Sequence, residues 1–370
     1  MLEAEVVETL ADIDRAEWDA IFGDEPEGYD YLTAVEQAGI EGFRWRYVLA
    51  RDGGALVAAA PAFLTDYPLE TTLIGSGKPL FEGLRRIVPG ALTLKLACIG
   101  SPCITTAGVG FAPGLSEAER RPVLSRLLSA FEDAASAERC GLLALKDVTE
   151  TDRPLWDAAA GRRGYRPMPS LPIARLDIDF ASLDEYLGRL TASARKDMRR
   201  KLRARRDVRI EVTTSIDGLA DRLMALYAQT RERADMSFEH LTADYFRGVP
   251  QHMGARAFYV LYFQGEDLLA ANLLLQDRTT LVDKYFLMDA ERGRPLNLYF
   301  LSWFTNVGLC LERGLSCYQS GQAAYENKLR LGSRLIRTSI YFRHRNALVN
   351  GAMQVFAPLF AADPTVKRAA

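Results

Sequence analysis

The densest run of groups able to do chemistry is 317–345, CYQSGQAAYENKLRLGSRLIRTSIYFRHR. It reads as a short strand, a turn, a helix and a second strand. Gly321 at the turn can take a positive φ or let a ligand approach the main chain closely. In the helix, Tyr325, Lys328 and Leu329 fall at i, i+3 and i+4 and so share a face, with Gly332 as the stop. Gln319, Ser320 and Gln322 sit at the turn and form the expected substrate-binding set. The last strand alternates. Arg337, Ser339, Tyr341, Arg343 and Arg345 point one way and Ile336, Thr338, Ile340, Phe342 and His344 the other, so the strand is expected to be half core and half surface.

A second cluster is Asp283, Lys284 and Tyr285, consecutive in an otherwise apolar strand. Burying charge there without a partner is costly, so something must pair them. Alternation puts Asp283 with Tyr285 and Leu287 on one face and Lys284 on the other. A buried ion pair is one reading; Asp283 or Tyr285 as a proton-handling group is the other. Among three histidines, His240 in SFEHL is the best candidate for an imidazole base. The run RKDMRRKLRARR, 195–206, is strongly basic with Met198 and Leu202 as a narrow apolar stripe. It fits a solvated face, an anion site or membrane surface, or contact with tRNA. Base-stacking aromatics are missing from it, which weighs against nucleic acid. No metal-ligand spacing, Walker motif or nucleophile elbow occurs.

The elements around these groups alternate between strands and helices in both halves. Trp45–Arg51 and Ala55–Leu64 flank an Asp-Gly-Gly hairpin signal. A strand at 92–99 leads into GSPC, 115–137 is an amphipathic helix, and 141–146 is a buried strand. The second half repeats this order: a helix over 183–206, a strand at 208–212, helices over 218–234 and 242–253, a hairpin 256–263 and 268–277, the Asp283 strand, and a helix over 295–312. The fold class expected is α/β in layers, with mixed sheets flanked by helices. The boundary is expected between 175 and 176, giving domains 1–175 and 176–370.

The order strand, SGQ turn, Tyr-x-x-Lys helix and Gly resembles the end of the acyl-CoA N-acyltransferase (GNAT) fold in its FemAB-like and BioF-like branch. The resemblance implies two tandem GNAT-like domains, with the first degenerate and GSPC standing in for the ligand turn of the second. It implies transfer of an acyl group from acyl-CoA to a primary amine, with no permanently bound cofactor and no metal. Asp283, Tyr285, Tyr325 and His240 are then the candidate catalytic groups. Arg292, Arg294 and Asn297, opening a helix as GNAT pyrophosphate sites do, and Lys328 with Arg330 would hold the CoA phosphates. The overall look is also similar to bacterial ceramide synthases, which implies a long-chain amino lipid as acceptor. A FemAB-type transfer from aminoacyl-tRNA to a peptidoglycan precursor, a small-molecule N-acetyltransferase and a non-enzymatic binding module are the alternatives.

The five cysteines are scattered and odd in number, which suits buried thiols in a reducing compartment better than a disulfide framework. Neither a signal peptide nor a spanning helix is expected, so the placement read is cytoplasmic with an option of peripheral membrane binding. The apolar 347–362 segment could lie in an interface. No DNA partner is expected.

Overall fold

A computed structural model of the chain describes residues 1–68, 93–233 and 238–356. Its contacts divide it into two compact units. Unit 1 comprises Met1–Gly23, Glu41–Pro172 and the segment from Ile336; unit 2 comprises Asp24–Ile40 and Ile173–Leu335.

Unit 1 carries β1 (Leu2–Val7), β2 (Phe43–Asp52), β3 (Ala55–Pro68), β4 (Thr93–Ile99), β5 (Gly110–Phe111), β6 (Leu142–Thr149), β7 (Arg166–Pro169) and β15 (Thr338–His344). The sheet order is β1-β2-β3-β4-β6-β15-β7, with β5 added beside β3. Gly53 and Gly54 both have positive φ, so the Asp52↔Ala55 hairpin closes in two residues as the sequence predicts. The helix Glu117–Ala137 opens with a Ser116/Glu119 capping box and buries Leu124, Leu127, Leu128 and Phe131 against Ala97, Ile99, Leu143 and Leu145.

Unit 2 carries β8 (Ile173–Asp177), β9 (Arg209–Thr213), β10 (Ala257–Gln264), β11 (Asp267–Gln276), β12 (Thr280–Met288), β13 (Cys317–Gln319) and β14 (Arg334–Ile336) in the order β14-β8-β13-β12-β11-β10-β9. The helix Leu298–Glu312 lies on one face; its Trp303, Phe304 and Val307 share a core with Phe258, Val260 and Leu274. Each sheet thus runs four strands antiparallel, then a parallel neighbour, then an antiparallel strand from elsewhere in the chain.

That last strand sets the unit boundaries apart from a single division at 175/176. The chain does pass from one unit to the other at Pro172/Ile173, but β15 returns to pair with β6 and β7 of unit 1. It is a central strand, so its alternation does not divide core from surface: Tyr341 is buried with its hydroxyl donating to Asp157 (2.6 Å), and Arg343 pairs with Glu132. Asp24–Ile40 joins unit 2 because the helix Tyr29–Gln37 docks on the helix Ala243–Met253. There the Tyr31 and Tyr245 hydroxyls meet at 2.8 Å and Arg256 pairs with Asp30.

The helix read over 183–206 is two helices, Leu183–Arg189 and Ala192–Lys201, followed by a tight turn of 3-10 helix. Thr191 starts the second by accepting a hydrogen bond from the Ala194 N–H. All five cysteines are buried free thiols. The helix Ala347–Phe356 covers the first part of the apolar segment, and 357–362 lies outside the described residues.

Candidate functional site

In unit 2, β12 and β13 run parallel for three rungs, Thr280↔Cys317, Leu281↔Tyr318 and Val282↔Gln319, and then separate. From Asp283 onward no described strand pairs with that edge of β12. On its other edge β12 is bulged against β11: Leu273 opposes Tyr285 and Leu274 opposes Asp283, so Lys284 is an extra residue.

The bulge reverses the expected alternation. Asp283 faces the Leu298–Glu312 helix, whereas Tyr285 turns to the opposite face, against Tyr245 and Phe246 with its hydroxyl donating to Glu239 (3.1 Å). Lys284 points to that same opposite face and pairs with Glu27, over the Tyr31 ring. The two candidate proton carriers Asp283 and Tyr285 therefore cannot act on one atom from one side. The sequence pattern misses this because one inserted residue flips every later side chain.

At the fork, the Asp283 carboxylate accepts from Asn272 Nδ2 (2.6 Å) and from the Tyr318 hydroxyl (2.8 Å). Asn306 Nδ2 donates to Asn272 Oδ1 (2.7 Å) and to the Tyr318 oxygen (3.0 Å). Burial pushes the Asp283 carboxyl up, while the Asn272 and Tyr318 hydrogen bonds and the Lys328 charge pull it down. Burial likewise raises Tyr318, helped by Asp283, so this phenol stays protonated and remains a donor. Asn272, Asn306 and Tyr318 are functional candidates that a motif search passes over. Their signal is a lone asparagine in each of two apolar elements, DLLAANLLLQ and LYFLSWFTNVGLCLE.

Past the fork, Gly321 takes φ 74°, and the helix Tyr325–Arg330 returns Lys328 to the interior. Buried positions are Tyr325, Lys328 and Leu331; Leu329 is exposed instead of sharing their face. The Lys328 ammonium donates to the Ser320 carbonyl, its one hydrogen-bond acceptor among the described residues. Burial lowers its pKa to about 8, with the Asp283 charge opposing the fall. The Ser320 hydroxyl is buried with no partner among the described residues. A cation with two unspent N–H groups, an orphaned hydroxyl and a hydrogen-bonded carboxylate thus meet where two strands part. Such a site can hold a polarised carbonyl and stabilise negative charge as it develops on the oxygen.

The remaining candidates lie around this fork in different ways. Gln319 ends β13, half-buried, and Gln322 follows Gly321. Arg292 pairs with Asp267 (2.8 Å) and Arg330 with Asp197 (2.9 Å), so both guanidinium groups already have carboxylate partners. Arg294 is exposed, and Asn297, at φ 52°, precedes the Leu298–Glu312 helix, which has no side-chain cap. His240 is exposed and stacked on Tyr227, next to the Glu239 that meets Tyr285. An open cavity of about 850 Å³, lined among others by Val212, Thr213, Gln276 and Arg313, lies where β12 and β13 begin and contains none of the candidate residues.

In unit 1 the sheet order makes β4 the counterpart of β12 and β6 that of β13. GSPC follows β4 and so does not occupy the place of the Gly321 turn, which follows β13. Beyond the last β4/β6 rung, Ile99↔Leu145, the chain fills its own fork. Ser101, Cys103, Ile104, Thr105 and Ala107 are buried there, and Lys146 donates to the Ile104 carbonyl (2.8 Å) and pairs with Asp147.

Residues 172–361 match the FemAB-like family, described as peptidoglycan biosynthesis/recognition. A Mycobacterium tuberculosis protein bearing the name 8-amino-7-oxononanoate synthase 2 is 25% identical over 337 residues, covering 88% of this chain and 43% of its own. The chain thus spans less than half the length of that relative. Among solved structures, FemX superposes with a TM-score of 0.61 at 12% identity, covering 95% of this chain and 100% of FemX. A tandem GNAT protein from the clavulanic acid biosynthesis pathway gives 0.56 at 14%, covering 93% and 98%. The C-terminal domain of an Agrobacterium fabrum protein named as a lysylphosphatidylglycerol synthetase gives 0.54 at 10%, covering 93% and 96%. These likenesses establish the tandem GNAT-like architecture of mixed sheets flanked by helices.

Proposed function

The chain belongs to the FemAB-like family, and from that premise we propose that unit 2 transfers an acyl group from a thioester donor, acyl-CoA, to a primary amine. The observation that carries this reading is the β12/β13 fork with Lys328 and Asp283 at its base. The free edge of β12 beyond Val282 can pair with amide groups of a donor arm as a missing strand would. The uncapped start of the 15-residue Leu298–Glu312 helix favours an anion such as the donor's phosphates.

In the step itself the amine nitrogen attacks the thioester carbon, the C–N bond forms and the C–S bond breaks. The Lys328 N–H groups stabilise the oxyanion of the tetrahedral intermediate, and the Ser320 hydroxyl is a second donor beside them. The amine loses one proton and the departing thiolate gains one. Lys328, whose pKa lies near 8, is suited to give its proton to the thiolate and to be recharged by the proton the amine loses. Asp283 and Tyr318 hold the base of the fork and keep a negative charge near the ammonium. Tyr325 positions the helix that bears Lys328.

For the acceptor, the reading is a long-chain amino lipid, giving an N-acylated, ceramide-type product. Its support is the exposed apolar Leu348 and Val349 on the Ala347–Phe356 helix and the exposed basic helix at 192–201, features of proteins that work at lipid surfaces. The family description favours a second reading, transfer of an aminoacyl group from tRNA to a peptidoglycan precursor. The purified protein should release free thiol from palmitoyl-CoA only when a sphingoid base is supplied, with the N-acylated product seen by mass spectrometry. Turnover on aminoacyl-tRNA alone would replace the donor and acceptor together; turnover on acetyl-CoA and a soluble amine would remove the lipid.

A further inference from the structure

The basic run 195–206 sorts into two populations once it is folded. Arg195 donates to the Gly188 carbonyl (2.9 Å) and Arg205 to the Val208 carbonyl (2.9 Å). Arg200 and Lys201 pair with Asp197, and the Lys201 ammonium also lies 3.4 Å from the centre of the Phe300 ring. Lys196, Arg199, Arg203 and Arg206 are exposed and have no partner among the described residues. They fall at i, i+3, i+7 and i+10, one line along the helix and the turn that continues it, opposite the buried Ala194 and Met198. At 1.5 to 2 Å of rise per residue the line is roughly 15 to 20 Å long.

We propose that this line of four cations docks the protein on an anionic lipid bilayer. The surface is the outward side of a helix and not a groove, and no aromatic ring stands in the line, so it fits a flat field of headgroups better than a nucleic-acid strand, which would call for stacking platforms. The placement adds a consequence. Arg330 reaches from the Lys328 helix to Asp197 between the cations (2.9 Å), and Leu329 beside it is exposed, so docking would bring the fork next to the lipid surface. The docking itself does not depend on the acyl-transfer reading.

The test is sedimentation of the purified chain with phosphatidylcholine vesicles with and without phosphatidylglycerol. Binding should require the anionic lipid and weaken as salt is raised. Each neutralisation among Lys196→Gln, Arg199→Gln, Arg203→Gln and Arg206→Gln should lower the partition coefficient roughly fivefold, and all four together should abolish it. The charge-preserving set Arg199→Lys, Arg203→Lys and Arg206→Lys should still bind. Thermal melts of each variant confirm that it is folded. No binding to anionic vesicles by the wild type, undiminished binding by the fourfold neutral variant, or loss of binding in the lysine set would each overturn the proposal. So would a single-stranded RNA homopolymer that displaces the vesicles at equal salt through the same four residues.

Discussion

The Tyr318 hydroxyl donates to Asp283 Oδ2 at 2.8 Å, reaching from the second of the three rungs that join β12 to β13 to the first residue past their separation. The bond ties the two strands at the point where they part. It also fixes a carboxylate near Lys328, whose proton affinity that carboxylate supports.

Asp283→Asn should therefore act through Lys328. With the negative charge gone, the ammonium loses the influence that raises its pKa, and the alkaline limb of the activity profile, near pH 8 in the wild type, should move to lower pH. Turnover at neutral pH should fall about tenfold. Tyr318→Phe keeps the charge and should leave the limb in place while lowering turnover. An unmoved limb in the Asn variant would detach Asp283 from the chemistry.

Lys328 also leaves a mark on stability. Its pKa is about 8 when folded against the ordinary 10.5, so the folded chain holds this proton less tightly than the unfolded one. Native stability must then rise as pH climbs from about 8 to 10.5, by on the order of 3 kcal/mol from this group. Urea titrations at neutral and alkaline pH should show wild type gaining that amount relative to Lys328→Met. Parallel pH dependence in the two proteins would mean that the ammonium is not desolvated.

The Glu27–Lys284 pair is part-buried, with side-chain exposures of 14% and 8%. Removing one partner takes the ion pair away from the other in a part-buried site, so Glu27→Gln or Lys284→Met should each cost about 1–3 kcal/mol. The double variant should lose much less than the sum, which a double-mutant cycle in urea reads directly.

Because unit 1 fills its own fork with 101–107 and Lys146, one equivalent of a non-hydrolysable acyl-CoA analogue should bind per chain in calorimetry. Lys328→Met should weaken it. Two equivalents of like affinity would show that the fork of unit 1 opens.

Local chemistry and periodicity were enough to read much of the architecture. The Gly-Gly hairpin, the amphipathic helix Glu117–Ala137, the strand–turn–helix from Cys317 to Arg330 and the burial of all five thiols follow from side-chain spacing, turn residues and hydrophobicity, which act over a few residues. What the sequence could not decide are relations between distant residues. One bulge at Lys284 separated Asp283 from Tyr285, and docking of Tyr29–Gln37 brought Glu27 to the lysine that the bulge turned to that face. Sheet pairing carried β15 back to unit 1, and Asp197 chose which cations of the basic run are spent. Each depends on register and on partners far apart in the chain, and neither is set by local propensity. Only the assembled sheet and its packed helices bring Asn272, Asn306 and Tyr318 around one carboxylate, because burial makes an unpaired charge too costly to leave alone.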